Sequence, residues 1–177
     1  GNGIVTKKEF IEQAMKDGGM KGKIFTSKKK LKSATGPQFA AILRASDHPV
    51  RSKHKTTYKD QEGIGRVRRK LYECSTIYNV VLNDNSEEAV EALLEGFLAN
   101  LRKGFYDDDG NWVGVTPVDT DWVDEEDSVL KGKVTVQVIV LCQYGIYEDK
   151  KEIFDISPAE VTIERKQEDI TDGSEER

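Results

Sequence analysis

Cysteine and histidine are scarce in this chain of 177 residues, with two of each. Cys74 and Cys142 are too few for a disulfide framework or a four-cysteine zinc site. With His48 and His54 as the only imidazoles, a conventional zinc enzyme is not expected. A continuous apolar run of about 18 residues is also missing, which excludes a transmembrane helix. No charged start followed by an apolar stretch is seen, so a secretory signal is not expected either. What is present is 37% hydrophobic and 33% charged, enough apolar material for a core under a surface dense in ions. The expectation is a soluble intracellular protein with one domain over residues 1–163 and a polar, mobile tail over 164–177.

Charge is polarised along the chain. Residues 1–82 carry 18 Lys+Arg against 7 Asp+Glu, a net +11, whereas residues 83–177 carry 9 against 25, a net −16. Ionic heads stay in water whichever way the halves pack, so two surfaces of unlike sign are expected. Head-to-tail self-association would use them. The alternative is that the halves neutralise one another across a single surface.

Thr6 and Glu9 form a capping box ahead of Phe10, Ile11, Ala14 and Met15, which share one helical face, and Gly18 and Gly19 end that helix. An extended piece over Lys23 to Thr26 precedes the basic cluster Lys28, Lys29, Lys30 and Lys32. After the Gly36-Pro37 turn, Gln38 to Ala45 reads as a strand. Ser46 to Gly65 is polar and basic with no periodicity, and is expected to be a long, mobile loop. From Val67 to Leu82 the pattern alternates, placing Tyr72, Cys74, Thr76, Tyr78, Val80 and Leu82 on one side of a strand. Asp84, Asn85 and Ser86 then offer N-caps for an amphipathic helix expected over Ser86 to Lys103 and stopped by Gly104, with Glu87 and Glu88 in its first turn. Asp109-Gly110 marks a hairpin turn between extended flanks. Asp119 to Asp127 is expected as an acidic loop or irregular edge. Leu130 to Tyr147 alternates at strict period two through Val134, Val136, Val138, Val140 and Cys142. Eighteen extended residues span about 60 Å, roughly three times a usual strand, so this strand must bend or project beyond its own domain. A last short strand is expected near Val161 and Ile163.

Few constellations carry chemistry. Asp107-Asp108-Asp109 could offer oxygen ligands to a hard cation, but Phe105 and Thr116 stand where an EF-hand loop needs acids. A hairpin turn is the better reading, and no metal or other cofactor is expected. Asp119, Asp121, Asp124, Glu125, Glu126 and Asp127 read as a solvated acidic face or a subunit contact. His48 and His54 lie near Asp47 without a serine or cysteine motif, Gly63 and Gly65 match no phosphate loop, and both cysteines fall on apolar strand faces, where a thiol packs as a small hydrophobe. No catalytic residue is nominated, and the protein is not expected to be an enzyme. The basic residues offer more: Lys28, Lys29, Lys30, Lys32, Arg51, Lys53 and Lys55, with Arg66, Arg68, Arg69 and Lys70, could track phosphates if the fold gathers them. No base-reading motif or stacking platform accompanies them.

The order helix, strand pair, long loop, long strand, amphipathic helix, hairpin, long strand resembles that of the tail terminator proteins of long-tailed bacteriophages, the lambda-like family. The residues that carry the resemblance are Tyr72 to Leu82, the helix Glu87 to Leu101, and Asp121-Trp122 followed by Lys133 to Val138, within residues 6–147. The resemblance implies an α+β fold, a mixed or mainly antiparallel sheet of long strands backed by two main helices. It further implies a virion protein, assembled in the bacterial cytoplasm, that caps the tail tube as a hexameric ring and joins it to the head. Its partners would be other copies of itself, the tube protein, the head-tail connector and the DNA passing through the channel, with no membrane. Lys28, Lys29, Lys30, Lys32, Arg51, Lys53 and Lys55 would then meet a partner or line the DNA channel, and Asp119 to Asp127 would meet a neighbouring subunit. Two departures, the basic segment Ser46 to Gly65 and the tail beyond Tyr147, leave open a tail completion or head-tail joining role. The competing reading is a non-specific nucleic-acid-binding module centred on the basic N-terminal half.

Overall fold

The computed structural model describes residues 5–123 and 133–151. Their order is α1 (Lys7–Asp17), β1 (Lys23–Phe25), α2 (Lys28–Leu31), β2 (Phe39–Arg51), β3 (Lys55–Lys59), β4 (Gly65–Asp84), α3 (Glu87–Asn100), β5 (Gly104–Tyr106), β6 (Trp112–Val123) and β7 (Val134–Lys151). The strands form one seven-stranded sheet in the order β1-β2-β4-β7-β6-β5, with β3 pairing β4 outside that path. Strand β1 runs parallel to β2, while β6 is antiparallel to both β5 and β7. The α+β class and the mixed sheet of long strands are therefore as expected.

The chain divides into two compact units, and β2, β4 and β7 supply residues to both. The first holds residues up to His48 and Ser75–Tyr144. Its core follows from the period-two pattern: Tyr78, Val80 and Leu82 of β4 and Val136, Val138, Val140 and Cys142 of β7 are buried against Ile11, Met15, Val90 and Phe97 of the helices. Helix α1 starts where Thr6 Oγ1 accepts the Glu9 amide at 3.1 Å, and α3 where Ser86 Oγ accepts the Ala89 amide at 3.1 Å. Each bond satisfies a donor that the first helical turn leaves without an intrahelical partner. The two helices meet at Gly18 and Gly96, where a Cβ on Gly96 would stand 2.9 Å from the Gly18 carbonyl carbon. Only hydrogen fits there.

Helix α3 ends at Asn100, short of the expected Lys103. Asn100 Nδ2 donates to the Gly96 carbonyl at 2.8 Å, and Leu101 is already extended. A side chain that bonds its own last turn competes with the helix it ends. Gly104 is thus not a helix stop but a strand residue opposite Gly114, with the Trp112 ring over the place of its missing Cβ. The Asp109-Gly110 turn is present, with Gly110 at φ 78°.

The second unit comprises Pro49–Cys74 and the chain from Gly145 onward, described to Lys151. Here the expected loop Ser46 to Gly65 is corrected. Strand β2 continues to Arg51, and β3 pairs antiparallel with β4 from Lys55↔Arg69 to Lys59↔Gly65. The connecting turn is held by Asp60, whose Oδ1 accepts the amides of Glu62 and Ile64 at 2.9 Å each. Gly63 takes φ 80° within it. A ladder needs only backbone partners, so a strand without apolar alternation leaves no periodic signal. The turn residues Asp60 and Gly63 and the β-favouring Thr56, Thr57 and Tyr58 were the available clues. The strand expected near Val161 and Ile163 and the tail 164–177 lie outside the described residues.

Candidate subunit and partner surfaces

The cations named from the sequence fall into both units. In the first, Ser27 caps the single turn of α2 through a 3.2 Å bond from the Lys30 amide. This turn presents Lys28, Lys29 and Lys30, followed by Lys32, all exposed. It directly follows β1, the last strand at one end of the sheet. From Gly18 to Ser46 the chain carries no Asp or Glu.

Near the opposite end of the sheet lies β6, whose residues 116–122 are all exposed. Its register with β7 places Thr120 and Trp122 on the face of Val138 and Val136, and Asp119 and Asp121 on the other face with Ile139 and Gln137. A bulge interrupts the ladder between Pro117 and Asp119. Of the two readings of the acidic stretch, a loop or an irregular edge, its described part takes the second, as bulged strand as far as Val123. Asp124, Glu125, Glu126 and Asp127 lie outside the described residues. On the other side of β6, β5 pairs only Trp112 to Gly114, and the Val115 amide bonds the Lys103 carbonyl at 2.8 Å. From Thr116 to Val123 no described strand covers that side. Val118 at 53% and Trp122 at 40% exposure add apolar area to this edge.

In the second unit Arg51 is exposed and stacks over the Tyr72 ring at 5.4 Å. Lys53 is exposed, and Lys55 is half-buried opposite Arg69. Three further cations are held by carboxylates. Arg66 bonds Asp60 at 2.8 Å, Lys70 bonds Glu73 at 2.6 Å, and Arg68 grips Asp149 with Nε at 2.9 Å and Nη2 at 3.2 Å. Arg68 also lies over the Tyr147 ring at 5.2 Å. Its guanidinium holds the Asp149 carboxyl below the usual range, and Arg66 does the same for Asp60. These pairs orient the hairpin and occupy donors that a phosphate-tracking stripe would need.

A polar cluster in the first unit had no motif to announce it. Thr76, fully buried, donates to Asp47 Oδ1 at 2.6 Å and lies 3.0 Å from the Tyr144 hydroxyl. Arg44 reaches the same Asp47 oxygen at 3.0 Å, and Lys7 Nζ sits 3.8 Å from the centre of the Tyr144 ring. The bonds from Thr76 and then Arg44 pull the Asp47 carboxyl down. Nearby, burial pushes the Cys142 thiol up to about 11, the behaviour of a packed thiol rather than a nucleophile. The two histidines separate, His48 to the first unit and His54 to the second. Among the described residues, Asp107, Asp108 and Asp109 bring carboxylate oxygens within 4.8 Å of one another. Asp107 Oδ1 already accepts the amides of Asp109 at 3.0 Å and Asn111 at 2.8 Å, which closes the hairpin turn.

No family model matches the chain, and no curated protein matches it. Among solved structures, it is similar to one described as "Cryo-EM Structure of an Extracellular Contractile Injection System, PVC sheath/tube terminator in extended state", with 11% identity and a TM-score of 0.45. The match covers 88% of this chain, which spans 62% of that one.

Proposed function

We propose that the protein is a structural component of a phage or phage-like tail, a terminator that assembles as a ring on the end of the tail tube and joins it to the head. One observation carries the reading: strand structure continues well past what the core uses. Strand β2 is 13 residues long and buries only Phe39 to Ile42, and β6 is 12 residues long and buries only Val113 and Val115. Ordering backbone costs roughly 1–2 kcal/mol per residue, and exposed strand recovers little of that by burial. Such strands are surfaces for another chain. The element order of the tail terminators, given above on residues 6–147, supports the same reading, which does not rest on the structural neighbour.

The partners on this account are other copies of the chain, the tube subunit and the head connector, and the site of action is the virion. No enzymatic step is part of the proposal. Sedimentation velocity on the purified protein, alone and mixed with its tube subunit, tests it. A ring-sized species in the mixture is expected, and a monomer under both conditions would remove the reading. The nucleic-acid alternative predicts DNA binding that falls on the order of a thousandfold or more over a fourfold salt increase if six or more phosphates are contacted.

A further inference from the structure

The sheet path ends at β1 on one side and at β5 on the other, and the two ends differ in charge as well as in place. The first carries Lys21 and Lys23 beside the turn Lys28 to Lys32, inside a stretch with no acid. Between Gly104 and Val123, at the other end, there are five aspartates and no Lys or Arg. The carboxylates of Asp119 and Asp121 stand on the very part of β6 whose outer side no described strand covers. Open strand edges are usually blunted by charge or proline. This one has Pro117 and a bulge, yet its charge is of one sign, which repels an identical edge and admits a cationic one.

We infer that the open edge of β6, with Asp119 and Asp121, receives the lysine turn Lys28, Lys29, Lys30 and Lys32 of a second copy of the chain. The two patches are different and lie at opposite ends of the sheet. The contact is therefore heterologous, and its repetition makes a ring where the rotation closes. Val118 and Trp122 give the same edge an apolar part that water leaves on docking. The inference rests on the ring reading above and specifies which surfaces join in it. It separates the lysines of α2 from those of the hairpin and gives them to subunit contact rather than to DNA.

Charge reversal in two separate chains tests this without any other partner. One variant carries K28E, K29E, K30E and K32E, and the other D119K and D121K. Sedimentation velocity at low salt and graded concentration reads the association of wild type, of each variant and of their equal mixture, with circular dichroism confirming the fold of each. Each variant alone then has like-charged edges and should associate about tenfold or more weakly than wild type. The mixture should recover wild-type association, because an alternating order pairs every acidic edge with a basic one. Association of both variants as strong as that of wild type would overturn this interface and leave the ring reading standing. Loss in both without recovery in the mixture would also overturn the pairing. A wild-type chain that stays monomeric at every concentration would overturn the pairing, and the mixture with tube subunit described above would then decide the ring reading separately.

Discussion

Gly96 sits inside α3, where helix propensity and tertiary packing make opposite predictions for one methyl group. By propensity alone, Gly96→Ala should stabilise the protein by about 1 kcal/mol, since alanine is the best helix former and glycine among the worst. Packing reverses the sign. The added Cβ would press on the Gly18 carbonyl oxygen, stand 2.9 Å from its carbon and 3.0 Å from its Cα, all backbone atoms that no rotamer change can move. Helix α1 would have to shift away from α3, opening contacts around Phe97 and Met15, both essentially fully buried. Overpacking of this kind costs about 1–3 kcal/mol, occasionally more, and outweighs the propensity gain. With backbone atoms this close the upper part of that range applies, so less the propensity gain we expect a net loss of about 1–2 kcal/mol, and a fall in Tm of roughly 2–8 °C for a chain of this length. Urea denaturation followed by circular dichroism is the assay. Ala92→Gly, an exposed position on the same helix, calibrates propensity alone and should lose about 1 kcal/mol. A Gly96→Ala protein as stable as wild type, or more so, would refute the close crossing of the two helices.

Three further outcomes follow from particular contacts. Thr76→Val keeps the shape but removes a buried hydroxyl bonded to Asp47 and Tyr144, and should cost about 1–2 kcal/mol in urea titrations. Because Thr76 and Arg44 lower the Asp47 pKa in the folded state, that carboxylate adds stability above its unfolded pKa, and the contribution fades as pH falls through the folded value. Thr76→Val should therefore flatten the acid side of a stability-against-pH curve, and an unchanged slope would contradict the role given to this bond. Arg68 and Asp149 form a two-bond pair that is partly exposed, with side chains at 27% and 41% accessibility. A double-mutant cycle with Arg68→Met and Asp149→Asn should give a coupling of about 0.5–1 kcal/mol, and zero coupling would count against the pair. Cys142, buried and with its thiol pushed up to about 11, should resist a thiol reagent in the native protein at pH 8 and react once denaturant is added. Prompt native labelling at that position would contradict its burial.

The sequence shows most clearly those elements whose side chains alternate because one face is buried. Strands β4 and β7 were legible from Tyr78, Val80, Leu82 and from Val136, Val138, Val140, since burial imposes period two. The cap at Thr6 was legible because a hydroxyl before an apolar stripe has a local job, and the cap of α3 was narrowed to Asp84, Asn85 and Ser86, of which Ser86 bonds the Ala89 amide. The continuation of β2 to Arg51 and the strand β3 were not, because backbone partners hold them and none of their side chains is fully buried. The end of α3 was misplaced for a related reason: the Asn100 side chain decides it locally, whereas Gly104 serves a strand opposite Gly114. Of the candidate surfaces, residue identities were visible but their grouping was not. Lys28 to Lys32 and Arg51 to Lys55 look like one basic region in the chain, yet they belong to different compact units. The cluster of Asp47, Thr76, Tyr144 and Arg44 joins distant positions and has no signature in any window.

The central claim, a ring that terminates a tail tube, is tested most directly by electron microscopy of tubes assembled from the purified tube subunit with and without this protein. A ring-shaped density seated on one end of the tubes is expected only when the protein is present, with further growth at that end arrested. Tubes with bare ends and unaltered growth in the presence of excess protein would contradict it.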